Sequence, residues 1–404
     1  MNSIYTFLLF IYSLLVFFRF PASFLRRFAN FNKHNNCIWI HCSSVGEVKA
    51  AIPFIEKLKI KKPNIDIVLS VFTKTGYLEA KKIANISFYY QPLDFKFLIN
   101  KAISKLNPNM LILIETEIWA NLIGECKNRG VPVYLINARL SNRTYKYFRE
   151  HFFYFSKKTI NKISHIYCQS VEDSIKFSGL GVDSKKLTVL TNMKFEVSIT
   201  NELKEKITKL KTEFNFYNKY SVLIAGSIRE REEEFIINIY KNLKTKIKNL
   251  VLVIAPRHTP QFKVVNKICS AKNIVLSRHS KKDFNNNTEV YLLDTFGDLT
   301  AFYALSDIAI MGGSFENYGG HNVVEPALFS LPIIIGRYTS NFTDVINKFL
   351  DKDAIIQLES KSELENKIFN LLNDEVMRKN LGLKAKSVVD NNKGVNDKIL
   401  KWIL

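Results

Sequence analysis

The sequence predicts an α/β chain of two doubly wound domains facing a cleft, preceded by an N-terminal membrane-associating helix. From residue 38 onward, short apolar runs alternate with amphipathic stretches, the pattern of parallel strands covered by helices. That rhythm stops in a polar, lysine-rich stretch and then restarts. Late in the chain, Met311-Gly312-Gly313-Ser314 and Gly319-Gly320-His321-Asn322 close an apolar strand, cross a glycine-rich turn and open a helix, an arrangement suited to phosphate. The division that follows is an anchor and basic aromatic segment over 1–34, a first domain over 35–197, a linker over 198–219, and a second domain with C-terminal helices over 220–404.

Nothing between Met1 and Phe18 is charged, and the run is long enough for a short span or a deep interfacial helix. Arg19, Arg26, Arg27 and Lys33 follow it, which holds the domain on the cytoplasmic side and argues against a cleaved signal peptide. Phe20, Phe24, Phe28 and Phe31 recur at helical spacing among the arginines, the pattern of a helix lying in a headgroup layer.

Strands of the first domain are expected at 38–41, 65–72, 86–90, 110–115, 131–137, 165–169 and 187–190. In such sheets ligands bind beyond the carboxyl ends of the strands. The first strand leads through His41-Cys42-Ser43-Ser44-Val45-Gly46-Glu47 into a helix over 48–58, whose dipole is expected to keep Glu47 ionised. The fourth ends in Glu115-Thr116-Glu117-Ile118-Trp119, from which at least one carboxylate is expected to face the space between the domains. Arg139 after the fifth strand and Lys194 at the close of the half suit an anionic substrate, structural ion pairing being the competing account.

The second domain places strands at 221–225, 250–255, 274–277, 290–293, 308–311 and 333–335. Ala225-Gly226-Ser227 and Ala255-Pro256-Arg257-His258 end strands with groups able to hold phosphate, Arg257 through its fork of donors. Asp294-Thr295-Phe296-Gly297-Asp298 adds a tight turn. Asn322 is a natural N-cap, and Glu325 in the first helical turn can accept both hydroxyls of a ribose. The last segment, 396–404, is a candidate to return to the first domain.

With 404 residues and 47% hydrophobic content the chain can bury a large core. Its five cysteines are odd in number and scattered, without metal-type pairing, which favours a reducing compartment. The net charge of +21 calls for an anionic partner, unless it reflects lysine-rich composition alone. Zinc-finger spacing, RNP aromatics and basic heptads are absent, which argues against nucleic acid. So are a Gly-x-Ser-x-Gly elbow, a Walker loop and paired metal-ligand histidines; Asp351 and Asp353 fall in a lysine-rich loop, and no metal is expected.

Taken in order, these motifs resemble the 3-deoxy-D-manno-octulosonic acid (Kdo) transferase family. The resemblance runs from about residue 38 to 342 and rests on Ser44-Val45-Gly46-Glu47, Tyr90-Gln91-Pro92-Leu93-Asp94, Glu115-Thr116-Glu117-Ile118-Trp119-Ala120-Asn121-Leu122, Asn137-Ala138-Arg139-Leu140-Ser141, Pro256-Arg257-His258 and Gly319-Gly320-His321-Asn322 through Glu325-Pro326. It implies a GT-B glycosyltransferase: two Rossmann-like domains, the first binding a lipid A precursor at an anionic inner-membrane surface and the second binding CMP-Kdo. It also implies Glu47 as catalytic base, Glu115 and Lys194 as transition-state stabilisers, and a CMP site of Pro256, Arg257, Phe296, Gly297, Asp298, Asn322, Val323, Val324 and Glu325. The chain departs from the family pattern at Thr191, where a glycine is usual, at Asp298 in a Met-Gly-Glu turn, and at Gly336-Arg337-Tyr338 in place of Gly-Pro-His. The expected reaction is inverting and metal-independent, without cofactor. The alternatives are another GT-B enzyme of UDP-sugars, transferase or epimerase, and a basic nucleic-acid-binding protein.

Overall fold

The computed structural model describes residues 2–19, 21–214 and 219–404. They form two compact units, one of residues 1–196 with 394–404 and one of residues 197–393.

In the first unit, seven parallel strands, β1 (Cys37–Cys42), β2 (Ile67–Val71), β3 (Ser87–Tyr90), β4 (Pro108–Ile114), β5 (Val133–Ala138), β6 (His165–Cys168) and β7 (Leu187–Val189), lie in the order β3-β2-β1-β4-β5-β6-β7. Helices cover both faces, so β1, β2 and most of β4 are buried throughout and largely apolar rather than alternating. Trp39 and Cys37 enter one apolar cluster, Ile38 and Ile40 the other. The chain order reverses at β1, with β2 on one side and β4 on the other, which makes their carboxyl ends the switch point. The helix after β1 spans Val45–Lys61, longer than expected, because Ser44 caps it by accepting the Glu47 N–H at 3.3 Å.

The N-terminal helix, Asn2–Arg19, packs one face on this unit. Leu9 and Val16 are buried, and Tyr5 donates to Asp94 at 2.5 Å. Asp94, fully buried and pushed up to about 6 chiefly by desolvation, also accepts the N–H groups of Asn121 and Leu122 at the start of helix Ala120–Asn128. The opposite face presents Phe7, Phe10, Leu15 and Phe18, the last 77% exposed. No helix among the described residues is long and apolar enough to cross a membrane.

The aromatic run that follows is corrected. Regular helix ends at Arg27; Phe31 is buried against Trp39, and Phe24 and Phe28 pack on the apolar cluster of Val16, Leu93 and Leu98. Phe20 lies outside the described residues. Arg27 is no interfacial cation either. It is buried over the Phe72 ring at 4.2 Å, donates to the Phe72 and Gln91 carbonyls, and is lowered to about 10 by desolvation. Arginines at helical spacing fit a headgroup layer and a core pocket equally well, and only the docking partner decides.

The second unit repeats the plan with β8 (Ser221–Ile228), β9 (Leu250–Pro256), β10 (Leu276–Arg278), β11 (Val290–Leu292), β12 (Ile308–Met311), β13 (Ile333–Gly336) and β14 (Ile356–Leu358), all parallel, in the order β10-β11-β9-β8-β12-β13-β14. The edge strand β14 gave no signal, being three residues long behind the exposed Asp351-Lys352-Asp353 loop. The switch point lies at β8, between β9 and β12.

Two boundaries move. The expected linker carries helix Asn201–Glu213, which belongs to the second unit: Leu210 is buried, and Phe214 packs edge-on to Tyr291 and Phe302. Residues 215–218 lie outside the described residues. At the far end, residues 394–404 belong to the first unit, which shortens the second domain drawn over 220–404 and agrees with the expected return of 396–404; Val395, Ile399 and Leu400 join the cluster of Val48 and Phe54, and Trp402 stacks on Tyr167.

Candidate functional site

In the first unit the residues after β1 and β4 are acidic. Glu47 is nearly buried in the first turn of helix Val45–Lys61 and accepts the Ser43 N–H at 2.5 Å and the Ser44 hydroxyl at 2.9 Å. Burial, then Glu117 and Glu115, push its carboxyl up to about 8, outweighing those two bonds. The expectation that the helix dipole keeps Glu47 ionised is therefore corrected: desolvation and two neighbouring carboxylates exceed what one helix terminus supplies.

Strand alternation does not govern Glu115 and Glu117. The strand ends at Ile114, and Glu115 adopts the left-handed region at φ 63°, where a side chain is strained. Both carboxylates consequently act on Glu47. Glu117 is held ionised against its burial by His41 Nε2 at 3.1 Å and the Trp119 indole N–H at 2.7 Å. His41 is buried, and its Nδ1 meets Ser70. The Thr116 hydroxyl donates to the Arg139 carbonyl, tying the turn after β4 to the end of β5. Lys194 stands on the single turn Met193–Phe195, fixed by Asn192 Oδ1 accepting its N–H at 2.9 Å, while the buried Met193 packs in the cluster of Val48.

In the second unit the strand ends are basic, and the site takes shape differently from the sequence pattern. Gly312 is required because a Cβ would meet the Ser227 carbonyl oxygen and Ile228 backbone at 2.6 Å. The N–H groups of the turn do not await a phosphate. Gly313, Phe315 and Glu316 donate to the buried carboxylate of Glu232, which also accepts the Arg229 N–H. Gly312 donates to the Gly226 carbonyl. An internal anion thus fills the role expected of a ligand. Gly226, expected to approach phosphate, lies within β8 and makes room for the Tyr303 hydroxyl.

Asn322 does accept the Val324 N–H at 3.2 Å, but the helix it begins is one turn, Val324–Ala327, too short to project a dipole. Glu325 accepts Thr300 Oγ1 at 2.9 Å and Asn322 Nδ2 at 3.3 Å. Val323 and Val324 are buried, as is Pro256 at the end of β9, whereas Arg257 and Phe296 are exposed. Asp298 is ion-paired to Lys206, which also donates to the Gly297 carbonyl at 3.1 Å and clamps the 296–298 turn; Gly297 itself sits at φ 96°. Lys206 was read as linker, and Glu232 carried no signal in the sequence, so neither was legible beforehand. Among the described residues no cluster of His, Cys, Asp or Glu is arranged to hold a metal ion, and the five cysteines are buried and unpaired.

Two doubly wound units, with polar residues concentrated at the switch point of each, define the GT-B fold class. Solved structures agree on the fold. UDP-GlcNAc 2-epimerase from Neisseria meningitidis superposes with TM-score 0.61 at 12% identity over 90% of this chain and 98% of that one, and a glycosyltransferase from Rickettsia africae ESF-5 with TM-score 0.59 at 16% identity over 92% and 98%. The sequence model of the 3-deoxy-D-manno-octulosonic-acid transferase family matches residues 22–197. The 3-deoxy-D-manno-octulosonic acid transferase of Haemophilus influenzae is 33% identical over 370 residues, covering 90% of this chain and 85% of that protein. The chain belongs to the Kdo transferase family and is a glycosyltransferase.

Proposed function

We propose that the enzyme transfers Kdo from CMP-Kdo to a lipid A precursor in lipopolysaccharide synthesis, with inversion at the anomeric carbon and without a metal ion. The observation that carries the reading is Glu47: a carboxylate at the switch point of the first sheet, raised to about 8 and fixed by Ser43 and Ser44. A group with that affinity takes a proton from a sugar hydroxyl as the hydroxyl oxygen attacks. Glu115 and Glu117 sustain this basicity, and Lys194 offsets charge gathering around the sugar carboxylate. The electron pair of the breaking bond goes to the phosphate oxygen, and CMP departs with cationic side chains supplying the charge that a divalent ion supplies elsewhere.

The acceptor is a lipid, and the N-terminal helix supports that part of the reading. Its outer face presents an apolar band flanked by the exposed Arg19 and Arg26, as an interfacial helix at an anionic membrane does. Its inner side forms, with the turn that carries Glu117, a cavity of about 340 Å³ whose walls include Leu8, Tyr12 and Trp119. An acyl-bearing acceptor is thereby led toward the carboxylate cluster.

Purified enzyme incubated with CMP-Kdo and a tetra-acylated lipid A precursor should yield lipid heavier by whole Kdo units on mass spectrometry, with turnover unchanged by EDTA. Release of CMP without a heavier lipid would defeat the acceptor assignment, and loss of turnover in EDTA restored by magnesium would defeat the metal-free one.

A further inference from the structure

Basic side chains from three strand ends converge at the switch point of the second sheet. Arg229 follows β8, Arg257 and His258 follow β9, and His321 follows the glycine-rich turn after β12. Gly313 marks where two of them meet: a Cβ there would lie 2.9 Å from Cδ2 and 3.0 Å from Nε2 of His321, and 3.4 Å from Cγ of Arg229. Arg229 is held at three points. Its N–H donates to Glu232, its guanidinium lies 4.4 Å from the Tyr318 ring centroid, and its Nη1 is 2.7 Å from His258 Nε2. That last distance requires His258 to be the neutral acceptor, since a guanidinium only donates.

His321 Nε2 is buried with no hydrogen-bond partner among the described residues. The neighbouring carboxylates are committed elsewhere, Glu232 to four backbone N–H groups and Glu325 to Thr300 and Asn322. Two guanidiniums and an orphaned imidazole nitrogen together form a set of groups that an anion would pair.

We infer that Arg229, His258 and His321 complete, with Arg257, a subsite for the phosphate of the donor, and that His321 takes up a proton when the phosphate enters. The inference rests on the reading of the second unit as the donor site. Burial and the charges of Arg257 and Arg229 hold the His321 imidazole down to about 4. Burial and the same two arginines lower His258 as well, with Glu230 opposing them. A phosphate oxygen beside Nε2 reverses the field at His321, and the imidazolium then donates to it. In turnover the phosphate gains a negative charge as the sugar–oxygen bond breaks and the electron pair passes to oxygen. A protonated His321 meets that charge as it develops.

Titration calorimetry of the intact enzyme with CMP and, separately, cytidine, at pH 7 in two buffers of different ionisation enthalpy, tests this. CMP should bind with uptake of a fraction of a proton, and H321Q should bind it about tenfold more weakly without that uptake. R229Q should weaken CMP to a similar extent, and cytidine should bind all the proteins alike. H321N gives a second reading should glutamine pack poorly against Gly313, and thermal unfolding confirms that each variant folds. CMP binding that is indifferent to these substitutions would sink the subsite while leaving the donor assignment standing. So would proton uptake that survives H321Q and disappears in H258Q. Failure of the native enzyme to bind either CMP or cytidine would instead sink the donor reading, and the subsite with it.

Discussion

At the scale of single residues, the proposed role of Glu47 as base predicts how turnover and stability depend on pH. Its folded-state affinity is raised from 4.5 to about 8, so the folded protein carries a proton there that the unfolded chain releases. Stability from this group is full below the unfolded value and is lost as pH rises toward about 8, while the base becomes available over the same window. Turnover should therefore climb with pH to a midpoint near 8, and E117Q, which removes a neighbouring charge, should move that midpoint lower. A pH–rate profile unaltered by E117Q would show that Glu117 does not tune the base. E47Q should lower turnover by about two to four orders of magnitude with CMP binding nearly unchanged. Its melting temperature should gain on the native enzyme between pH 5 and pH 9, as measured by thermal denaturation.

At the scale of elements, the turn after β12 depends on Glu232. Four backbone N–H groups converge on one buried carboxylate, so E232A leaves several donors without a partner and should cost about 3 kcal/mol in chemical denaturation. E232Q should recover little of this, because its amide NH₂ would confront backbone donors at one of the two oxygen positions. Recovery of full stability in E232Q would mean that a single acceptor suffices. The glycines were legible as a tight turn, since their spacing is local. What fills the turn was not, because Glu232 lies 81 residues from Gly313 in the chain.

At the scale of the whole molecule, the exposed apolar band of helix Asn2–Arg19 belongs with the proposed lipid acceptor. The enzyme should float with vesicles containing anionic lipid and less with purely zwitterionic ones, the difference shrinking as salt rises. Replacing Phe7, Phe10 and Phe18 together by serine should abolish flotation while leaving CMP binding intact. Equal flotation by that variant would assign membrane contact to another face.

The sequence by itself determined the two seven-stranded halves nearly strand for strand, because hydrophobic periodicity and turn chemistry are properties of neighbouring residues. It also marked the strand ends, which in parallel sheets are readable from the same runs; Glu47, Glu115 and Arg257 became candidates that way. Only the tertiary structure decided that Glu115 sits in the left-handed region, that Arg27 is buried on Phe72, and that Glu232 occupies the glycine turn. Each of those outcomes is an exchange of burial against partners brought from distant parts of the chain, and desolvation, which governs it, has no value until those partners are in place.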